Sequence, residues 1–285
     1  MRVLVTGVKG QLGYEVCREL TARGIENRGV DIDDFDLTDE KAVMEAISAY
    51  RPDAVVHCAA YTAVDRAEEN EDACRAVNVD GTRFVARACR AVNAEMVYFS
   101  TDYVFPGKGE DFYEVDSPKG PRSVYGRTKL EGEEAVRETL EKYFILRISW
   151  VFGINGNNFI RTMLRLSNDH DTLRVVNDQI GSPTYAHDLA PLICDMLATE
   201  KYGTYHATNE GVCSWAEFAE AIMKAADRPT RIIPVTTEEY GAKAARPLNS
   251  RMSKKSLDEA GFARLPSWQD ALRRYLAELR ERDML

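Results

Sequence analysis

The sequence predicts an α/β fold whose first half is a mostly parallel, doubly wound sheet. Three observations predict it. Short apolar or β-branched runs alternate without interruption with helical stretches as far as Ile148, the pattern of a right-handed parallel sheet. A glycine-rich turn, Gly7-Val-Lys-Gly10-Gln-Leu-Gly13, joins the first run to the first helix. The third run, Ala54 to Ala60, is apolar apart from His57, as a strand buried on both faces should be.

Arg2 to Thr6 is the first strand, and Tyr14 to Ala22 has helical periodicity. Strand, glycine turn, helix is the context of a dinucleotide site. The glycines allow a tight turn and close backbone approach, and the helix N-terminus offers free N–H groups to a pyrophosphate. Gly7, Gly10 and Gly13, with Gln11 and Leu12 between them, are therefore candidate cofactor residues in a Rossmann-like core. Asn27 to Ile32 reads as the second strand. Asp31 near its end is placed for adenine-ribose hydroxyls, which favours NAD over NADP, while Arg28 and Asp33-Asp34 leave the preference open. Asp36 and Leu37 open the next turn, where a carboxylate beside an apolar side chain can clasp an adenine edge, and a helix follows from Thr38 to Tyr50. Ala59 and Ala60 close the third strand at the end where ligands meet open α/β sheets. His57 is expected to be a core residue.

Asp72 to Val92 reads as one long helix and Glu95 to Ser100 as the fourth strand. Thr101 and Asp102 stand at that strand's carboxyl end, where a hydroxyl can bond a substrate carbonyl. Ser123 begins a helix carrying Tyr125 and Lys129, four residues apart and hence one above the other. An ammonium beside a phenol favours the phenolate, which suits the tyrosine to general acid-base work. Lys142 to Ile148 is the fifth strand. Beyond it come a helix over 158–167, a strand over 173–176, a loop over 179–185, a helix over 186–198 and a strand over 204–207. Ser214 to Glu217 is a capping box that starts another helix. Ile232-Ile-Pro and two final helices, from Lys254 and from Trp268, complete the chain. The expected organisation is a dinucleotide-binding core over 1–150 and a smaller C-terminal substrate-binding lobe over 151–285, partly intertwined with it.

The chain has 285 residues, 45% of them hydrophobic and 29% charged, an ordinary balance for a soluble globular protein. A net charge of −9 argues against a general nucleic-acid binder. No apolar run approaches the ~20 residues of a membrane span, and the start lacks signal-peptide anatomy. The 6 cysteines include no C-x-x-C pair and fit no zinc spacing, which points to reduced thiols in a cytoplasmic protein.

Taken together, the glycine turn, Asp31, Ala59-Ala60, Thr101 and Tyr125-x-x-x-Lys129 resemble the extended short-chain dehydrogenase/reductase family. Thr62 to Glu68, Ser100 to Gly107, Arg147 to Trp150, Gly156 to Phe159, Asp178 to Thr184 and Arg246 to Ser250 extend the resemblance over nearly the whole chain. It implies an NADPH- or NADH-dependent reductase of the C4 ketone of a dTDP-linked 6-deoxy sugar, with Tyr125 as proton donor. Lys129 would lower the tyrosine pKa and hold the nicotinamide ribose. Thr101 and Asp102 would meet the sugar, and Trp150 the thymine or sugar. Arg246 would face the nucleotide diphosphate, while Ala60, Tyr61, Thr62 and Phe99 would border the nicotinamide. Two places depart from the family pattern: His57-Cys58, where members often keep asparagine, and Tyr61, where close relatives carry histidine. Some members bind Mg2+ at a homodimer interface, but no acidic cluster here is assigned to a metal. A sugar-nucleotide epimerase or dehydratase is a rival. Dehydratases place Asp-Glu after the active-site threonine, whereas Tyr103 follows Asp102 here. A non-catalytic regulatory subunit of the methionine adenosyltransferase type is another.

Overall fold

In the computed structural model, which describes residues 1–241 and 243–285, strands and helices alternate through the first 150 residues. They are β1 (Arg2–Thr6), α1 (Gln11–Ala22), β2 (Glu26–Val30), α2 (Glu40–Tyr50), β3 (Ala54–His57), the short helices α3 (Val64–Ala67) and α4 (Glu71–Arg75), α5 (Thr82–Val92), β4 (Glu95–Thr101), α6 (Val124–Thr139) and β5 (Tyr143–Ile148). The helix expected over 72–92 is interrupted by a π-helical turn, Ala76–Gly81. Asn78 explains the interruption. Its side-chain oxygen accepts from the Tyr61 N–H at 2.8 Å and its amide donates to the Tyr61 carbonyl at 3.1 Å. The wider turn swings that amide toward the loop after β3, a use of π-turns that recurs at functional sites.

The chain continues with β6 (Val151–Phe152), α7 (Phe159–Leu166), β7 (Thr172–Val176), β8 (Ile180–Gly181), β9 (Thr184–Tyr185) and α8 (Ala186–Leu197). The stretch expected to be a loop over 179–185 thus contains two two-residue strands. β10 (Gly203–His206) follows, then β11 (Cys213–Ser214), α9 (Trp215–Ala225), β12 (Arg231–Val235), α10 (Thr237–Tyr240), α11 (Lys255–Ala260) and α12 (Trp268–Glu281). The capping box of α9 is present, Ser214 Oγ accepting from the Glu217 N–H at 3.0 Å and Glu217 from the Ser214 N–H at 2.7 Å.

The central sheet has six parallel strands in the order β10-β5-β4-β3-β1-β2. β10 comes from the second half of the chain, and α8 packs with α1, sharing a core of Val16, Leu20, Leu189 and Ile193. The intertwining of the two halves therefore reaches into the sheet itself. Val85, Met96 and Tyr98 belong to the core on its other face. The lobe has its own aromatic core around Phe152, Tyr185, Phe218, Trp268 and Tyr275. The chain leaves β1 for β2 on one side and returns to β3 on the other, so the switch point of the sheet lies between β1 and β3. A crevice opens there at the carboxyl ends of the strands, as in doubly wound folds generally. Among the described residues no helix is long and apolar enough to cross a membrane.

Candidate active site

The crevice at the switch point is a cleft of about 380 Å³. Gly7 and Gly10 line it on one side, Asp31, Asp36 and Leu37 on another, and Ala59, Ala60 and Tyr61 at the end of β3. Gly7 has a φ of +69°, and a methyl there would sit 2.7 Å from the Ala59 nitrogen. At Gly13 a methyl would sit 2.3 Å from the Gly7 carbonyl oxygen. The turn is therefore possible only with glycine, and helix α1 can pack this close to it only through Gly13. No side chain caps the N-terminus of α1 at Gly10, so its first-turn N–H groups are left for a ligand. A dinucleotide pyrophosphate fits this bare cradle.

Not every expected cofactor residue faces the cleft. Gln11 turns its side chain to the lobe, accepting from Asn158 at 3.0 Å, and Leu12 is buried in the core. Both contribute only backbone to the helix N-terminus. Phe99 lies in the same core beneath the crevice and does not line it. Thr62 is exposed beyond it. Asp31 accepts from the Lys9 N–H at 2.8 Å and so ties the glycine turn to the end of β2. Lys9 itself pairs with Asp33, which places a cation beside the adenosine end. Asp36 caps its own turn, accepting from the Thr38 N–H and hydroxyl at 2.8 Å each, and these bonds hold its carboxyl below the usual range.

The catalytic corner lies two strands along, at the end of β4 and the start of α6. Ser123 caps α6 by accepting from the Gly126 N–H at 3.1 Å. Gly126 and Gly132 let the helix lie flat against the sheet: methyls there would come within 2.4 Å of the Tyr103 carbonyl oxygen and 2.2 Å of the Tyr98 hydroxyl. Tyr125 and Lys129 therefore face β4. Burial, then the nearby Asp102, push the Tyr125 phenol well up, while Thr101 opposes as a hydrogen-bond partner; Lys129 contributes nothing, so the lowering expected from its ammonium is not found. Burial pulls Lys129 down to about 7, against the opposing charge of Glu133 one turn further along. The Lys129 ammonium sits 4.2 Å above the Tyr98 ring. Thr101 donates to Asp102 at 2.9 Å. Asp102 also accepts from Ser250 at 2.5 Å, and burial raises its carboxyl to about 6 despite both bonds.

On the substrate side, Trp150 follows β5 with a φ of +51°, an uncommon backbone for a bulky residue that points to a functional constraint. One face of its ring is already covered by Trp215, at 3.7 Å between centroids. Arg246 pairs with Asp65 at 2.7 Å and keeps a quarter of its side-chain surface exposed.

Several contacts of the corner could not be read from the motifs. Glu133 and Arg147 form a fully buried pair, Nε to Oε1 and Nη2 to Oε2 at 2.8 Å each. Asn78 clamps the Tyr61 loop, and Ser250 reaches Asp102 across 148 residues of sequence. His57 is a core residue as expected. It is bonded to Thr6 at 2.8 Å and lowered to about 3 by burial and then Lys129. Among the described residues no group of three His, Cys, Asp or Glu is arranged to hold a metal ion.

An uncapped glycine-turn cradle and a buried Tyr–Lys helix on the same edge of a parallel sheet define an oxidoreductase of the extended short-chain dehydrogenase/reductase class, which works with a nicotinamide cofactor. Within that class the chain belongs to the family described as the RmlD substrate binding domain, whose model matches residues 1–281. It is similar to the spore coat polysaccharide biosynthesis protein SpsK of Bacillus subtilis (strain 168), 44% identical over 97% of each chain. It is also similar to the dTDP-4-dehydrorhamnose reductase of Streptomyces griseus, 42% identical over 95% of this chain and 91% of that one. Among solved structures, the dTDP-4-dehydrorhamnose reductase of Bacillus anthracis str. Ames in complex with NADP superposes with a TM-score of 0.95 at 43% identity, covering 97% of this chain and 99% of that one.

Proposed function

We propose that this protein reduces the C4 ketone of dTDP-4-dehydro-L-rhamnose to dTDP-L-rhamnose. The observation that carries the reading is the corner where Tyr125, Thr101 and Lys129 converge beside the dinucleotide cleft. The likeness over nearly the full length to dTDP-4-dehydrorhamnose reductases supports the substrate. A bound reduced nicotinamide supplies the hydride; the chain's own residues handle the proton. Tyr125, kept protonated by burial and by Asp102, gives its phenolic proton to the C4 oxygen. Lys129, one helical turn further along, is the residue for the nicotinamide ribose. Thr101, anchored to Asp102, fixes the position of the reacting oxygen. Arg246 meets the nucleotide diphosphate and Trp150 the thymine or sugar. The substrate-side roles rest on the family resemblance together with the placement described above.

Either NADPH or NADH serves in this reading. Lys9 offers a positive charge beside the adenosine ribose that a 2′-phosphate can use, but Asp31 and Asp33 oppose it. Six free cysteines fit a reducing, cytoplasmic setting. The test is oxidation of NADPH and of NADH in the presence of dTDP-4-keto-6-deoxyglucose and the matching 3,5-epimerase. Epimerase-dependent oxidation that yields dTDP-L-rhamnose is expected. Binding of either cofactor without turnover would overturn the reading.

A further inference from the structure

The segment that carries Arg246 is pinned to the opposite wall of the active site. The Arg246 guanidinium meets Asp65 fork to fork, Nη1 to Oδ1 at 3.1 Å and Nη2 to Oδ2 at 2.7 Å. The Ala244 N–H donates to the same Oδ1 at 3.1 Å, and Lys243 pairs with Glu69 at 2.5 Å. Asp65 lies on α3, four residues beyond Tyr61, which Asn78 clamps. The Arg246 bonds hold the Asp65 carboxyl below the usual carboxylate range, so it is ionised at neutral pH. Further along, Ser250 of the same segment reaches Asp102.

A guanidinium has five N–H donors in one plane. The Asp65 fork takes one from each Nη. The Nε–H and one remaining Nη N–H form a second edge, which has no protein partner among the described residues. That edge has the geometry for two phosphate oxygens. Arg246 also lies near Tyr103, whose ring stands edge-on to Tyr125 at 5.4 Å, so the guanidinium belongs to the catalytic corner. Since carboxylate and phosphate use different edges, Asp65 need not leave when a diphosphate arrives.

We propose that Asp65 is a positioning residue for the substrate: it locks Arg246 in the orientation whose free edge receives the diphosphate of the sugar nucleotide. The inference rests on the reading of Arg246 given above. A long arginine side chain has many rotamers, and fixing one beforehand removes part of the entropic cost of binding. Asp65 touches no substrate atom in this scheme and acts only through Arg246.

The test uses the full chain and compares binding of dTDP and of thymidine, followed by tryptophan fluorescence, with NADPH affinity and kcat measured alongside. Arg246→Ala should weaken dTDP binding by about tenfold or more while leaving thymidine binding unchanged. Asp65→Ala should weaken dTDP by about two- to fivefold, the size expected of a half-exposed ion pair, with kcat, NADPH affinity and thymidine binding unmoved. Asp65→Asn, which keeps one acceptor for the guanidinium, should recover part of the loss. In the Arg246→Ala background, Asp65→Ala should add nothing. If Arg246→Ala leaves dTDP binding intact, the reading of Arg246 is wrong and the inference goes with it. If Arg246→Ala weakens dTDP but Asp65→Ala does not, the inference alone is wrong. Tighter dTDP binding in Asp65→Ala would make Asp65 a competitor of the diphosphate and overturn the positioning role, and a general loss of kcat and NADPH affinity would reduce it to a structural contact.

Discussion

In the cleft beside β1 the surface that matters is backbone: Gly7, Gly10, the open first turn of α1, and the small ends Ala59 and Ala60. In the corner between β4 and α6 it is buried polar and charged side chains: Lys129, Asp102, Glu133 and Arg147. The two regions share one sheet edge, but they fail in different ways. A backbone cradle is lost by adding atoms. A network of buried charges is lost by removing one member, because the partner is left without compensation.

The largest effect is expected in the corner. Tyr125→Phe keeps the ring and removes the proton, so turnover should fall by about 10²- to 10⁴-fold with NADPH affinity retained, as steady-state kinetics and cofactor titration would read. Loss of cofactor binding in that variant would blur the contrast between the two regions. Glu133→Ala strands Arg147 in the core and should cost about 3–5 kcal/mol in urea unfolding. The pH dependence has a definite sign. Arg147 and Arg137 overcome burial and hold the Glu133 carboxyl near about 2, below its ordinary 4.5. Its contribution is complete above about 4.5 and is lost as the pH falls toward 2. Glu133→Gln should flatten that acid limb, and an unchanged limb would remove Glu133 as its cause.

The cradle should respond to an added methyl. Gly13→Ala is expected to cost about 1–3 kcal/mol and to weaken NADPH binding, with any active fraction keeping its kcat; calorimetry and a cofactor titration check both. Milder is the alkaline limb of kcat/KM. Lys129 is lowered toward about 7, so its ammonium disappears as the pH rises through that value, and kcat/KM should decline above it. A profile that stays level to about pH 9 would show that substrate and cofactor site keep the lysine charged. The smallest change is expected at Lys9. Asp33→Ala frees its ammonium and should lower the KM for NADPH relative to NADH by about two- to fivefold.

The same contrast explains what the sequence revealed. Gly7 and Gly13 were legible because a φ of +69° at the first, and a methyl that would sit 2.3 Å from a carbonyl oxygen at the second, leave no other residue type. Tyr125 and Lys129 were legible because helical spacing fixes their relation. The partners of Ser250 and Asp65 were not, because they lie 148 and 181 residues away and only the folded chain brings them together. Phe99 alternates with Tyr98 along β4 and packs in the core shared with Ala54 and Val56, below the strand ends where the nicotinamide is expected. The π-turn at Ala76–Gly81 was missed because its cause is a tertiary bond from Asn78 to Tyr61, while its local sequence is compatible with an ordinary helix.

The return of the chain to supply β10 bears on how the protein is made. A nascent polypeptide leaves the ribosome N-terminus first, and domains tend to fold as they emerge. Here every residue of the Tyr125–Lys129 pair is out well before Gly203–His206. Until that segment arrives, β5 presents an unpaired rim, a template for pairing with other chains. Translation must therefore run past two-thirds of the message before the sheet can close, and a release at residue 150 would yield an aggregation-prone fragment that contains the catalytic pair but lacks the strand that seals it.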